Sequence, residues 1–252
     1  MTINIPKEKF INAIKETKET VQSVTIERQK FWVKKARKSK TKRSHILQKC
    51  VAFVIPLKIL KPTVSKGGST AIVKEGERLK RFKKAGICVP PVVYCDETAL
   101  ITLDAGIILQ DALNGENSDY LLLQATKSLA SLHSKNLYHG RPYMKDFIYN
   151  HTTNEIGFLD LEEDPLNAMN PAQAQARDVF LFFAGISIHT DKMDKYFETY
   201  ASNAPSSFRK PLRRLIKFLV PIACLIEWYS NCKVGKDTHK VLNAVRFFKN
   251  KL

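Results

Sequence analysis

Tyr138-His139-Gly140-Arg141-Pro142-Tyr143-Met144-Lys145-Asp146 is followed, one hairpin later, by Phe158-Leu159-Asp160-Leu161-Glu162-Glu163-Asp164-Pro165. The first stretch cannot continue the apolar helix expected over residues 120–134, because Gly140 and Pro142 both interrupt helical structure. Residues 146–149 then read as a strand, 150–154 (NHTTN) as a turn and 156–161 as a second strand. That hairpin sets Asp146 at its entrance and Asp160 at its exit, where two carboxylates can converge on one point. Hard oxygen ligands beside a nucleotide's phosphates are what Mg²⁺ requires. The plainer reading is a pair of acids that merely flank a hairpin.

Working outward, residues 1–103 read as strand-rich with one main helix, and 104–252 as mainly helical. Residues 7–20 suggest a short amphipathic helix or an irregular start, and 24–29 and 30–36 two strands rich in β-branched and aromatic residues. Helical spacing of Ile72, Glu75, Leu79 and Phe82 predicts a helix over 70–84, stopped by Gly86. Residues 89–94 and 99–103 read as strands around an Asp96-Glu97 turn, with a break at Asp104-Ala105-Gly106. A basic insertion occupies about 36–68. The fold class expected from this order is α+β, with two lobes sharing a cleft.

The 252 residues carry a net charge of +17, which favours a polyanionic neighbour: nucleic acid, an anionic membrane surface or a phosphorylated substrate. Nucleic-acid binding has only the basic runs 28–43 and 209–217 behind it, with no reading motif and no aromatics interleaved with the charges. The segments 50–60 and 216–228 are apolar, contain proline and adjoin basic residues; buried core is the default reading of each, and an anionic membrane surface the alternative. No apolar run reaches the ~18–20 residues of a membrane span. The first residues show no basic-then-apolar signal segment, so a cytoplasmic location with reduced cysteines (50, 88, 95, 224 and 232) is expected. No Cys-x-x-Cys pair points to zinc. No feature of the sequence sets an oligomeric state.

The order helix, His-Gly-x-Pro, carboxylate, hairpin, Phe-Leu-Asp-Leu-Glu resembles the catalytic and metal-binding loops of the protein-kinase-like superfamily. More closely, it resembles the bacterial kinase-like proteins grouped with the lipopolysaccharide core sugar (Kdo/heptose) kinases, which have HGRPxx(K/R)D and FLDFEEDP-type loops. The likeness runs from about Val24 to about Phe183 and is most specific in HGRPYMKD, FLDLEEDP and AQAQARD.

The resemblance implies a two-lobed kinase-like fold that transfers the γ-phosphate of ATP, with Mg²⁺, to a hydroxyl. The acceptor implied is an anionic sugar or glycolipid such as a lipopolysaccharide core sugar at the inner face of the inner membrane; a protein Ser/Thr is the lesser alternative. Residue by residue, Lys34 matches the phosphate-anchoring lysine of the third strand, and Glu75 its helix partner, with Glu77 the other candidate. Asp160 matches the metal-binding Asp, and Asp146 the second metal ligand. His139 is implied to be a structural loop residue, and Asp178 an acid that steadies the loop, unless it is simply an acid of a helix's first turn.

Two departures stand out. Arg141 occupies the position usual for the catalytic base, and no glycine precedes Gly67, where a flexible glycine loop is usual. Asp146 could then double as base, and Arg141 hold a phosphate or bridge the loop. A catalytically impaired pseudokinase, sensing nucleotide or acting as a membrane or partner scaffold, is the alternative to an active enzyme. General-base assistance supplies only about 10²–10⁴-fold, whereas positioning and charge neutralisation carry most of phosphoryl transfer.

Overall fold

The computed structural model describes residues 5–36, 59, 67–115, 117–229 and 235–252. The basic insertion falls almost wholly outside them, as do Cys50, Cys232 and all of the 50–60 apolar run but Ile59. The chain is α+β, with a small antiparallel sheet region followed by a larger helical part.

Helix α1 (Lys7–Glu16) leads into β1 (Val21–Ile26) and β2 (Gln29–Lys35). The two strands pair in register from Val21↔Lys34 to Ile26↔Gln29. Glu27 and Arg28, both at positive φ (50° and 65°), make the tight turn between them. They belong to the turn, which corrects the strand expected over 24–29: two left-handed residues in succession, as in a type I′ loop, match the right-handed twist of the flanking strands.

Helix α2 (Ser69–Lys84) is followed by β3 (Val92–Cys95) and β4 (Ala99–Leu103). The sheet order is β1-β2-β4-β3. Val89, Pro90 and Pro91 precede β3 rather than lying in it, since proline has no N–H to give to a ladder.

Alternation along β2 separates two jobs. Phe31 and Val33 are fully buried and form a small core with Phe10 of α1 and Ile101 of β4. Trp32 and Lys34 therefore point to the other face, toward α2. There Leu100, the partner of Lys34 in β4, belongs to the main core, as do Leu79 and Phe82 of α2. Gly76 lets α2 approach β3: a Cβ there would sit 2.6 Å from Cys95 Sγ.

Leu103 ends the first sheet, and β5 (Ile107–Ile108) joins a second with β6 (Phe147–Asn150) and β7 (Glu155–Phe158), in the order β5-β6-β7. Gly106 (φ 133°) is required between them, because a Cβ would lie 2.1 Å from the carbonyl oxygen of Tyr149. The short α3 (Leu109–Ala112) precedes α4 (Ser118–Ser134). Two buried stripes on α4, Leu121/Ala125/Leu129/Leu132 and Leu122/Thr126/Ala130/His133, let it pack on two neighbours at once.

Helix α5 (Pro171–Ile186) opens on an Asn170–Gln173 capping box with proline in its first turn. It is buried nearly all round and is surrounded by the other helices: α6 (Met193–Asn203), α7 (Arg209–Tyr229) and α8 (Lys236–Lys251). Among the described residues, no helix is long and apolar enough to cross a membrane. Cys88, Cys95 and Cys224 are free thiols.

Candidate functional site

Three elements meet at one lysine. Lys34 Nζ from β2 lies 3.0 and 2.8 Å from the two carboxylate oxygens of Glu75 on α2, and 2.9 Å from Oδ1 of Asp160 just past β7. Glu162 is 3.6 Å away. Lys34 sits on the second strand in chain order, not the third; the turn at Glu27-Arg28 precedes its strand directly, with no glycine loop between β1 and β2. Of the two candidate partners on α2, Glu75 is buried and Glu77 is exposed. Acids two positions apart on a helix point about 200° apart, so only one can face the sheet.

Burial alone would lower the pKa of Lys34, but Glu75, Asp160 and Glu162 outweigh it and hold the ammonium above its ordinary value. Burial pushes Glu75 up against the pull of Lys34, which touches both its oxygens. Asp160 also resists burial: Lys34, and then Arg141, keep its pKa below the ordinary carboxylate range. Its backbone is left-handed (φ 53°), a conformation Asp tolerates better than most residues. It ends the strand expected to run to Leu161, so that β7 stops at Phe158.

The hairpin brings Asp146 beside Asp160. Phe147 pairs with Phe158, and the Leu159 N–H donates to the Asp146 carbonyl at 2.7 Å. The Asp146 side chain is buried and accepts from the Tyr143 N–H at 3.2 Å. Its pKa is pushed up to about 7, first by burial and then by the charge of Asp160. Arg141 pairs with Glu163 at 3.0 Å and with Oδ2 of Asp160 at 3.6 Å, so Asp160 carries a cation on each oxygen.

The loop itself is held from below. Asp178, midway along α5 and fully buried, accepts from the His139 N–H at 2.6 Å and the Gly140 N–H at 2.9 Å. It lies well past the helix's first turn. His139 accepts the Arg141 N–H on Nδ1 and meets the Leu159 carbonyl through Nε2 at 2.8 Å, which requires Nε2 to donate. Burial lowers its pKa to about 4, in keeping with a neutral ring. The ring bridges the two loops and touches no open face. His133, near the end of α4, is buried between Asp178 and the Tyr200 hydroxyl.

Sequence reasoning passed over Arg78. From α2 its guanidinium donates to the carbonyls of Leu161 and Glu163 in one loop and of Tyr138 and His139 in the other. The signal was its position: three residues after Glu75, it shares that residue's side of the helix. Glu163, between Arg141 and Arg177, was also missed although it lies inside FLDLEEDP.

Oxygens of Glu75, Asp160 and Glu162 can approach within 4.8 Å of one another. These are hard donors of the kind that suits Mg²⁺, with Lys34 Nζ standing among them; Asp146 is not one of the three.

No protein-family model matches the chain. It is 28% identical over 118 residues to a Haemophilus influenzae protein described only as uncharacterized; the match covers 45% of this chain and 48% of that protein. The chain thus matches about half the length of this curated relative.

Proposed function

We propose that the chain is a two-lobed, protein-kinase-like phosphotransferase that moves the γ-phosphoryl group of ATP to a hydroxyl of an anionic sugar or glycolipid. The reading places it in the cytoplasm, working at the inner face of a membrane. The observation that carries it is the Lys34 ammonium clamped between Glu75 of α2 and Asp160 after the hairpin. That constellation joins a strand, a helix and a loop far apart in the chain, in the order the resembling enzymes use.

In this reading Lys34, positioned by Glu75, binds the phosphates of ATP. Asp160 and Asp146 would hold Mg²⁺, which supplies neutralisation of phosphate charge. A bond forms between phosphorus and the acceptor oxygen as the bond to the ADP oxygen breaks. The hydroxyl proton passes to Asp146 through the carboxylate oxygen that would not hold the metal. Arg141 supplies permanent positive charge to the transferring group once it leaves Asp160.

Asp160→Asn should lower ATP consumption by on the order of 10²–10³-fold while the fold is kept. Unchanged turnover in that variant would sink the metal assignment. A second reading, a pseudokinase that binds nucleotide without turning it over, is favoured by Arg141 pairing with Oδ2 of Asp160, the oxygen that Lys34 does not hold. Thermal stabilisation by ATP and Mg²⁺ with no ATP consumed by the parent protein would select it.

A further inference from the structure

Helix α7 turns two unlike surfaces to solvent along one side. Its inner face, Leu212, Leu215, Ile216 and Ala223, is buried against the helical core. Its outer side begins with exposed Lys210, Arg213, Arg214 and Lys217. One helical turn later it becomes apolar: Ile222 is 38% exposed, Leu225 63% and Trp228 78%. The last two are the most exposed large apolar side chains among the described residues. The helix carries five cations and a single acid, Glu227, which is paired with Arg246 at 2.9 Å.

We infer that the outer side of α7 docks the protein on an anionic lipid bilayer, with Leu225 and Trp228 dipping into the interface and Arg213, Arg214 and Lys217 on the headgroups. From Arg213 to Trp228 the helix spans roughly 20 Å, enough for its two halves to meet different depths of a lipid surface. Indole rings favour that boundary, and cations beside it are attracted by acidic headgroups. Charge complementarity selects the occupant, since the flanking cations require an anionic surface. A protein partner fits less well: even at ~200 Å² each, Ile222, Leu225 and Trp228 fall short of the ~800 Å² that a stable partner covers on one side. The placement does not depend on phosphotransfer being the reaction.

The test uses the full chain with vesicles of phosphatidylcholine, with or without phosphatidylglycerol. Trp32→Phe leaves Trp228 as the sole tryptophan, since the chain has two. Its emission should shift to the blue, and the protein should co-sediment, only with the phosphatidylglycerol vesicles, and less so as salt rises. Leu225→Asp with Trp228→Asp should cut the bound fraction by about 10-fold or more without changing the circular dichroism melt. Arg213→Gln, Arg214→Gln and Lys217→Gln together should weaken binding while leaving the apolar tip intact. Equal binding by the parent and the Asp variant overturns the proposal, as does an absence of binding at low salt. A parent dimer that the Asp variant turns into a monomer would assign the face to a second copy and overturn it too.

Discussion

Lys34 Nζ lies 2.9 Å from Oδ1 of Asp160, joining residues 126 positions apart. The same nitrogen is held by a buried glutamate, so the lysine ties the first sheet to α2 and to the loop after the hairpin. Lys34→Met strands Glu75 as a buried carboxylate without its cation. The expected cost is about 3 kcal/mol in urea unfolding, typical of breaking one side of a buried pair. Adding Glu75→Gln to Lys34→Met should recover most of it, a non-additivity that a double-mutant cycle measures.

Asp146 makes stability depend on pH in a direction opposite to that of most carboxylates. Its pKa is raised to about 7 in the folded state, against about 3.9 when unfolded. The favourable contribution is therefore complete below the unfolded value and is lost as pH rises through about 7. Asp146→Asn should match the parent near pH 4 and exceed it by about 4 kcal/mol near pH 8. Thermal or urea melts across that range check the window; a gap that does not grow with pH would refute it.

Arg78 binds four backbone carbonyls across two loops. Lysine keeps the charge but not the fork, so Arg78→Lys should cost about 2–4 kcal/mol. Hydrogen exchange should rise selectively at residues 138–140 and 161–163, because those segments lose their shared anchor.

Gly140 has φ 104°, and a Cβ there would stand 2.8 Å from the Glu163 carbonyl oxygen. Gly140→Ala is expected to destabilise by about 2–4 kcal/mol, combining backbone strain with a displaced loop. Gly68→Ala offers a contrast: φ is again positive (79°), yet nothing lies within 4 Å, so only the smaller strain should appear.

Much of the local structure was legible because period and turn chemistry are short-range. The Ile72/Glu75/Leu79/Phe82 spacing gives α2 almost to the residue, and it puts Glu75 rather than Glu77 on the buried stripe. Gly140 and Pro142 mark the end of helical structure, and the run 150–154 marks the turn between β6 and β7. Two boundary errors, at Glu27-Arg28 and after Phe158, arise where residues other than glycine take left-handed backbone, and a third, before Val92, where two prolines precede the strand.

By itself, then, the sequence determined the α+β order, the hairpin and the nearness of Asp146 to Asp160, all set by contacts within a few residues along the chain. The tertiary structure alone decided that Lys34 reaches Glu75 and Asp160 together, that Arg141 turns to Glu163 and Asp160, and that Arg78 clamps both loops. Those contacts depend on how β2, α2 and the two loops pack together: the spacing along α2 marks its buried side, but not what that side meets. The outward tip of α7 is the same case: its apolar run reads first as core, yet with Leu215 and Ile216 buried, Leu225 and Trp228 face solvent.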